Sequence, residues 1–513
     1  MTIKRLILIV LTIFAVGLIG QDLLSSWNQP QIQSRLELYQ TNLLLQATEL
    51  RSPDSSLTAT SQALVGNNPI QTALQQYQDV RDLAQKNLHK SETLLTTKTE
   101  QADPGAVKRL QATQQQLTQL TAELDLNIGV LLTQQERVET AIKTWATVPP
   151  QVKLGKLSPQ LENTANVLTG IWSTPPQLFP DAESVLKQHL DGWFETRSLA
   201  RLYELQQRQD ALQNLELAQQ QAAEQAFQNL AIITGVPVLG CLIGAGILLF
   251  LIGQWLVQRK QALLSAESMT GWTTPWDGEM VWQVLIFGFF LIGQVVIPIG
   301  LGILRQTPIF AVVGASDRGK ALLILINYLA LAAGGLSVLY LSIKPFLPLP
   351  EGWFQVRLKG NWFWWGLGGY LAALPLVILI SIINQQIWQG QGGSNPILPI
   401  ALQERDTVAL LIFFVTATIA APIFEEILFR GFLLPSLTRY TSIWGAIALS
   451  SLIFAIAHLS LSEVLPLTVL GMVLGFVYTR SQNLLASMLL HGLWNSGTLA
   501  SLIILGSSAS GHS

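Results

Sequence analysis

Charge is the first thing this sequence lacks. Only 12% of its 513 residues are charged, against a hydrophobic share of 50%. That is too apolar for an ordinary soluble chain of this length. Neither sign of charge dominates: 30 basic and 32 acidic residues leave a formal net charge of −2, so no nucleic-acid partner is implied. Cysteine is nearly absent. Cys241 stands alone inside an apolar run, which excludes an intrachain disulfide and a thiolate zinc cluster. No H-E-x-x-H stretch occurs, so the usual zinc-protease helix is missing too. Any chemistry therefore falls to Glu, His, Asn and Arg.

The shortage of charge is uneven. Residues 21–228 are rich in Gln, Leu and charge, whereas 229–505 are mostly apolar. The expected fold is all-α: a polytopic transmembrane helix bundle with an N-terminal extramembrane helical, coiled-coil-like domain. Apolar runs of about twenty residues cross a bilayer core as helices. Such runs fall near 230–257, 281–304, 321–343, 361–383, 407–429, 442–459, 464–479 and 484–504. A ninth, over 6–20, follows Lys4 and Arg5 and is short for a span. It reads either as a cleaved signal peptide or as an anchor, and the lack of a small-x-small site before Gln21 favours the anchor. Gly471 and Gly475 form a G-x-x-x-G pair that lets neighbouring helices approach closely.

Within 21–228, Leu110, Leu117, Leu124, Leu131 and Val138 recur every seven residues. That stripe predicts a coiled-coil-like hairpin, with its turn at Asp103-Pro104-Gly105. A proline-bearing stretch, 148–180, then separates the hairpin from a last long helix near 181–228 that runs into the next span. This region carries no catalytic signal and reads as a spacer or a surface for a protein partner or self-association. Lys4 and Arg5 place the N-terminus in the cytoplasm and 21–228 outside. Arg259, Lys260, Lys344, Arg357, Lys359, Arg439 and Arg480 then fall on cytoplasmic loops, against Arg305, Arg318, Lys320 and Arg405 on outer ones.

Polar groups inside the apolar half are costly, and for that reason they usually carry function. Glu425 and Glu426 follow the run Thr407 to Phe424, with Arg430 one turn on. On a continuous helix Glu426 and Arg430 share a face and offset part of each other's burial cost, while Glu425 points elsewhere and suits a general base. His458 lies late in the next span. His491 and Asn495 sit one turn apart on the last span and can face one cavity. Read singly, each has a bland alternative: acids reaching for water at a helix end, a structural histidine, an interhelical hydrogen-bonded pair.

Together, the order E-E-x-x-x-R, F-x-x-x-H and H-x-x-x-N, each on its own span, resembles the CAAX protease and bacteriocin-processing family of intramembrane proteases. The resemblance covers roughly residues 360–505. It extends to the Gly-Phe pair after Arg430 and the G-x-x-x-G before Arg480. It implies a protease core over 360–505; the residues before it match nothing in the family, and their composition and apolar runs divide them into an anchor over 1–20, the outer helical domain over 21–228 and additional spans over 229–359. By that likeness Glu425 would activate the attacking water, with Glu426 and Arg430 holding the helix end and orienting Glu425. His458 would position the water, and His491 with Asn495 would stabilise the oxyanion. The substrate would be a membrane protein or a lipidated peptide. Glu425, His458 and His491 are also a sensible zinc set with one open position, so metal-free and zinc-dependent hydrolysis both stand at this point. A proton-coupled transporter predicts an inverted repeat, which the spans lack. A non-enzymatic scaffold or immunity protein would put the working part in 21–228.

Overall fold

The computed structural model describes residues 2–27, 29, 31–51, 66–98, 104–153, 158–269, 271–304, 306–395, 397–404 and 406–509. Asp103, Arg305 and Arg405 lie outside the described residues. Among those described, every regular element is helical. The chain divides into two compact units: Met1–Ile32 with Val236–Ile503, and Gln33–Gly235 with Ile504–Ser513.

In the first unit the apolar runs become long helices. Eight described helices are long and apolar enough to cross a membrane: Ile3–Ser26, Gln209–Gln261, Gly278–Leu304, Asp317–Phe346, Trp362–Trp388, Thr407–Leu437, Leu461–Ser481 and Leu484–Ser507. Two differ from expectation. The first is 24 residues long and not short for a span, because helix continues to Ser26 through a polar tail. The expected span at 442–459 is a helix of only 14 residues, Ile443–Ile456. The Ser442 hydroxyl caps its start by accepting from the Gly445 N–H at 3.2 Å. At the other end Leu459, with φ of 57°, turns the chain out just after His458.

The first helix belongs to this bundle. Lys4 and Arg5 pair with Glu279 at 3.1 and 2.6 Å, and the Trp282 indole donates to the Thr12 hydroxyl at 2.7 Å. The G-x-x-x-G pair does what its spacing predicts. A Cβ on Gly471 would meet the Ser451 backbone at 3.1 Å and its Cβ at 2.8 Å, and one on Gly475 would meet Ile447, so Leu461–Ser481 packs closely on Ile443–Ile456. One end of the bundle is closed by indoles. Trp272 stacks on Tyr478 at 5.4 Å, and Trp276 meets Trp353 at 4.3 Å and Phe432 at 5.6 Å. Their ring N–H groups donate to Gly352 O, Ser436 Oγ and Thr273 O, which satisfies the polar edge of each ring.

The second unit is a multi-helix core. Pro69–Lys98 and Pro104–Gln134 pack as an antiparallel pair: Gln135 donates to Gln71, just past one end, and Arg81 to Asp125 further along. The expected turn at 103–105 is corrected, since helix already begins at Pro104, a residue tolerated in a first turn. The coiled-coil reading is not supported either. Leu117, Leu124 and Leu131 are buried as the stripe requires, but so are Ala122, Leu126, Ile128, Val130 and Leu132. These point to several sides, where further helices cover them. Val138 lies in a separate helix, Val138–Trp145. The proline-bearing stretch is no mere spacer: Pro159–Trp172 buries Leu161, Ala165, Leu168 and Ile171 in the same core. The single helix expected over 181–228 is three, Ala182–His189, Gly192–Leu205 and Gln209–Leu230. Gly192, at φ of 56°, makes one of the breaks in the left-handed region that glycine tolerates.

Candidate active site

The helix that bears the glutamates, Thr407–Leu437, is not uniformly α. It widens to π geometry at Thr416–Ala420 and again at Ile427–Leu433. The sequence supplies a cause for the first. Pro422 has no N–H, so the preceding turn loses a backbone bond. Thr416 and Thr418 hydroxyls turn back onto Ile412 O and Phe414 O at 2.6 and 2.8 Å. Single π turns of this kind concentrate at functional sites.

Between the two π turns lie Glu425 and Glu426. Arg430 Nη1 donates to Glu426 Oε1 at 2.8 Å, and both side chains are completely buried. The spacing of four read from the sequence thus gives a direct ion pair. Arg430 Nη2 reaches the Gly471 carbonyl at 3.3 Å. The guanidinium lies over the Phe454 ring at 4.4 Å, a cation–π contact strengthened by desolvation.

His491 joins from the last helix. Its Nδ1 lies 2.9 Å from Glu426 Oε1. A carboxylate oxygen accepts, so Nδ1 carries the proton and Nε2 is turned toward the other glutamate. Nε2 stands 3.9 Å from Glu425 Oε2, beyond hydrogen-bond range. Glu425 Oε1 accepts from the Tyr328 hydroxyl at 2.9 Å, while Oε2 is buried with no hydrogen-bond partner.

The remaining two expected residues are placed less directly. His458 lies two residues past the end of its helix, and its Nδ1 donates to Phe454 O at 2.9 Å. The Phe454 ring meets both imidazoles edge-on, at 4.9 Å for His458 and 5.7 Å for His491, so the histidines flank one aromatic wedge. Asn495 donates from Nδ2 to the Ala417 carbonyl at 2.7 Å, inside the first π turn. The amide therefore satisfies backbone left open by the irregular helix. Gly492 allows the close approach: a Cβ there would lie 2.8 Å from Thr418 O.

The structure thus draws Glu425, Glu426, Arg430 and His491 into one buried cluster, sets His458 across Phe454 from it, and sends Asn495 to a neighbouring turn. Tyr328 was not singled out from the sequence. Its hydroxyl is a weak signal, because the same span also carries Asn327, Ser337, Tyr340 and Ser342 and a span tyrosine is ordinarily packing. Among the described residues no three His, Cys, Asp or Glu side chains are grouped so as to hold a metal ion. Glu425, His458 and His491 are therefore not assembled as a ligand set, and no step below is routed through a metal.

Comparison with known proteins gives this geometry a context. Residues 407–497 match the family described as Rce1-like, type II CAAX prenyl endopeptidase Rce1-like. A Bacillus subtilis (strain 168) protein named "Putative membrane peptidase YdiL" is 28% identical over 132 residues, which is 26% of this chain and 53% of that protein. The chain thus spans about half the length of this curated relative. No solved structure matches it. Residues 407–497 are thus similar to the Rce1-like family, in keeping with the CAAX protease and bacteriocin-processing motifs, and they lie within an integral multi-pass membrane protein.

Proposed function

We propose that this chain is an intramembrane endopeptidase that hydrolyses a peptide bond with Glu425 as the base. Water attacks the scissile carbonyl, and Glu425 Oε2 takes its proton. The carbon–nitrogen bond then breaks and that proton passes to the departing amine nitrogen. His491 Nε2 faces the same oxygen and, when protonated, donates to the oxyanion. Asn495 has a second N–H beyond the one given to Ala417 and shares that task. Donors aimed at developing charge are worth about 3 kcal/mol each in a dry site. Glu426 and Arg430 fix the His491 ring through Nδ1. His458, whose Nδ1 is spent on Phe454 O, has Nε2 left to orient water.

The single observation that carries this reading is the state of Glu425: one carboxylate oxygen is tied to Tyr328, and the other is buried, unbonded and turned to an imidazole. The matched family is described as a type II CAAX prenyl endopeptidase. We accordingly read the substrate as a membrane protein or lipid-modified peptide. Residues 1–20 serve as an anchor with a cytoplasmic N-terminus, 21–228 as an extracytoplasmic helical domain suited to a partner or self-association, 229–359 as further spans, and 360–505 as the protease core.

The test is comparative proteomics of membranes from cells carrying the parent chain or Glu425→Gln, each with and without a chelator. Uncleaved substrate accumulates in Glu425→Gln, and the chelator leaves the parent unaffected. Processing that continues unchanged in Glu425→Gln would sink the mechanism, and a chelator that stops the parent would return a metal to the site.

A further inference from the structure

The Glu425 carboxylate is held from a helix outside the matched segment 407–497. Tyr328 lies in Asp317–Phe346, and its hydroxyl donates to Glu425 Oε1 at 2.9 Å. Two further contacts fix that helix against the one bearing Glu425. At the start of both, Arg318 Nε forks onto Asp406, at 3.0 Å to Oδ1 and 2.8 Å to Oδ2, while Asp406 also caps its own helix through the Ala409 N–H at 2.9 Å. Nearer the site, Gly335 lies where a Cβ would stand 3.0 Å from the Phe424 ring, and Phe424 meets the Tyr328 ring edge-on at 6.2 Å. The hydroxyl is thus delivered by a helix whose height and rotation are both constrained.

The consequence for Glu425 is chemical. A carboxylate free to rotate offers two equivalent oxygens and an undefined direction for proton transfer. Here Oε1 is bonded and only Oε2 faces His491 Nε2, at 3.9 Å. We propose that Tyr328 is a positioning residue, which holds Glu425 so that Oε2 alone serves as the base, and that the site is completed from outside the family core. Support of this sort matters because a misplacement of about 1 Å costs on the order of 100-fold in rate.

This inference rests on the protease reading above, and the test separates the two. The full chain in proteoliposomes is given a quenched fluorescent peptide ending in a farnesylated Cys-aliphatic-aliphatic-Met. The parent is compared with Glu425→Gln, Tyr328→Phe and Tyr328→p-aminophenylalanine. Phenylalanine keeps the ring and removes the donor; the aniline restores an N–H. In Tyr328→Phe we expect kcat to fall roughly 10- to 100-fold with KM unchanged. The p-amino variant recovers most of that loss, and all of these chains melt together. If Tyr328→Phe does not fold, Tyr328→p-methylphenylalanine supplies an apolar side chain of tyrosine size for the same comparison. Equal kcat in parent and Tyr328→Phe overturns the inference and leaves the protease reading standing. So does a loss that the aniline fails to recover, which would make Tyr328 a packing residue only. A parent no faster than Glu425→Gln overturns the protease reading and this inference with it.

Discussion

Glu426 in the membrane unit and Glu183 in the helical unit gather similar partners in different media. Glu426 accepts from Arg430 and His491 with its side chain completely buried. Glu183 accepts from Lys187 at 2.8 Å, Arg208 at 2.7 Å and the Tyr203 hydroxyl at 2.9 Å, with 33% of its side chain exposed. Water shares the second network and is excluded from the first. The exposed network is therefore replaceable, because water solvates whatever partner is left behind. The buried one is not, since losing either partner strands a charge in a dry interior. A buried pair is weak evidence for stability and better evidence for a site that must be held in one arrangement.

The sharpest way to break this comparison is Arg430→Met, which leaves Glu426 uncompensated. It should cost about 3–5 kcal/mol, read as a large fall in melting temperature of the detergent-solubilised chain, and adding Glu426→Gln should restore part of the loss. Equal melting of Arg430→Met and parent would show that the pair is not shielded from water. Next in size is Gly471→Val, which pushes Leu461–Ser481 off Ser451 and disturbs the carbonyl that Arg430 uses. Overpacking of this kind costs about 1–3 kcal/mol, visible in the same melt.

The helical unit offers a pH test. Burial first, and the neighbouring Asp191 carboxylate second, push the Glu195 carboxyl up to about 7 from an ordinary 4.5. A folded-state value above the unfolded one means that the folded chain binds the extra proton, so stability should fall as pH rises from 4.5 to about 7. Glu195→Gln should flatten that slope, measured as melting temperature against pH. The smallest effect belongs to Glu183→Gln, at roughly 0.2–1 kcal/mol near neutral pH because the network is solvent-screened. Its sign runs the other way. Lys187 first, then Arg208, hold Glu183 down to about 2, so its contribution is present above the ordinary 4.5 and fades as pH falls toward 2.

Much of the bundle was legible because membrane helices announce themselves as unbroken apolar runs, and polar groups within them are rare enough to notice. Glu425, Glu426, Arg430 and His491 were found in that way. What could not be read was where the backbone departs from α geometry. The widened turn at Thr416–Ala420 redirects the Asn495 amide to a carbonyl, and no residue pattern encodes that partner. His458 falls just outside its helix because the chain turns at Leu459, a residue with no turn preference. Tyr328 was missed because its hydroxyl is one of several polar groups on that span, beside Asn327 and before Ser337, Tyr340 and Ser342, and nothing in the pattern sets it apart. In the helical unit the seven-residue stripe was real, but a periodicity of one face says nothing about whether the other faces are also covered.

The brevity of Ile443–Ile456 carries a consequence for how a hydrolase beneath lipid obtains its co-substrate. Fourteen residues rise about 21 Å, some 9 Å less than a hydrocarbon core of about 30 Å. Placed across a bilayer, with Leu449 and Leu452 on its exposed side, that helix obliges adjoining lipid to thin or headgroups to sink. His458 stands two residues past one end of that helix, so a leaflet thinned on that side would bring headgroup water within a shorter distance of its imidazole than a full span would.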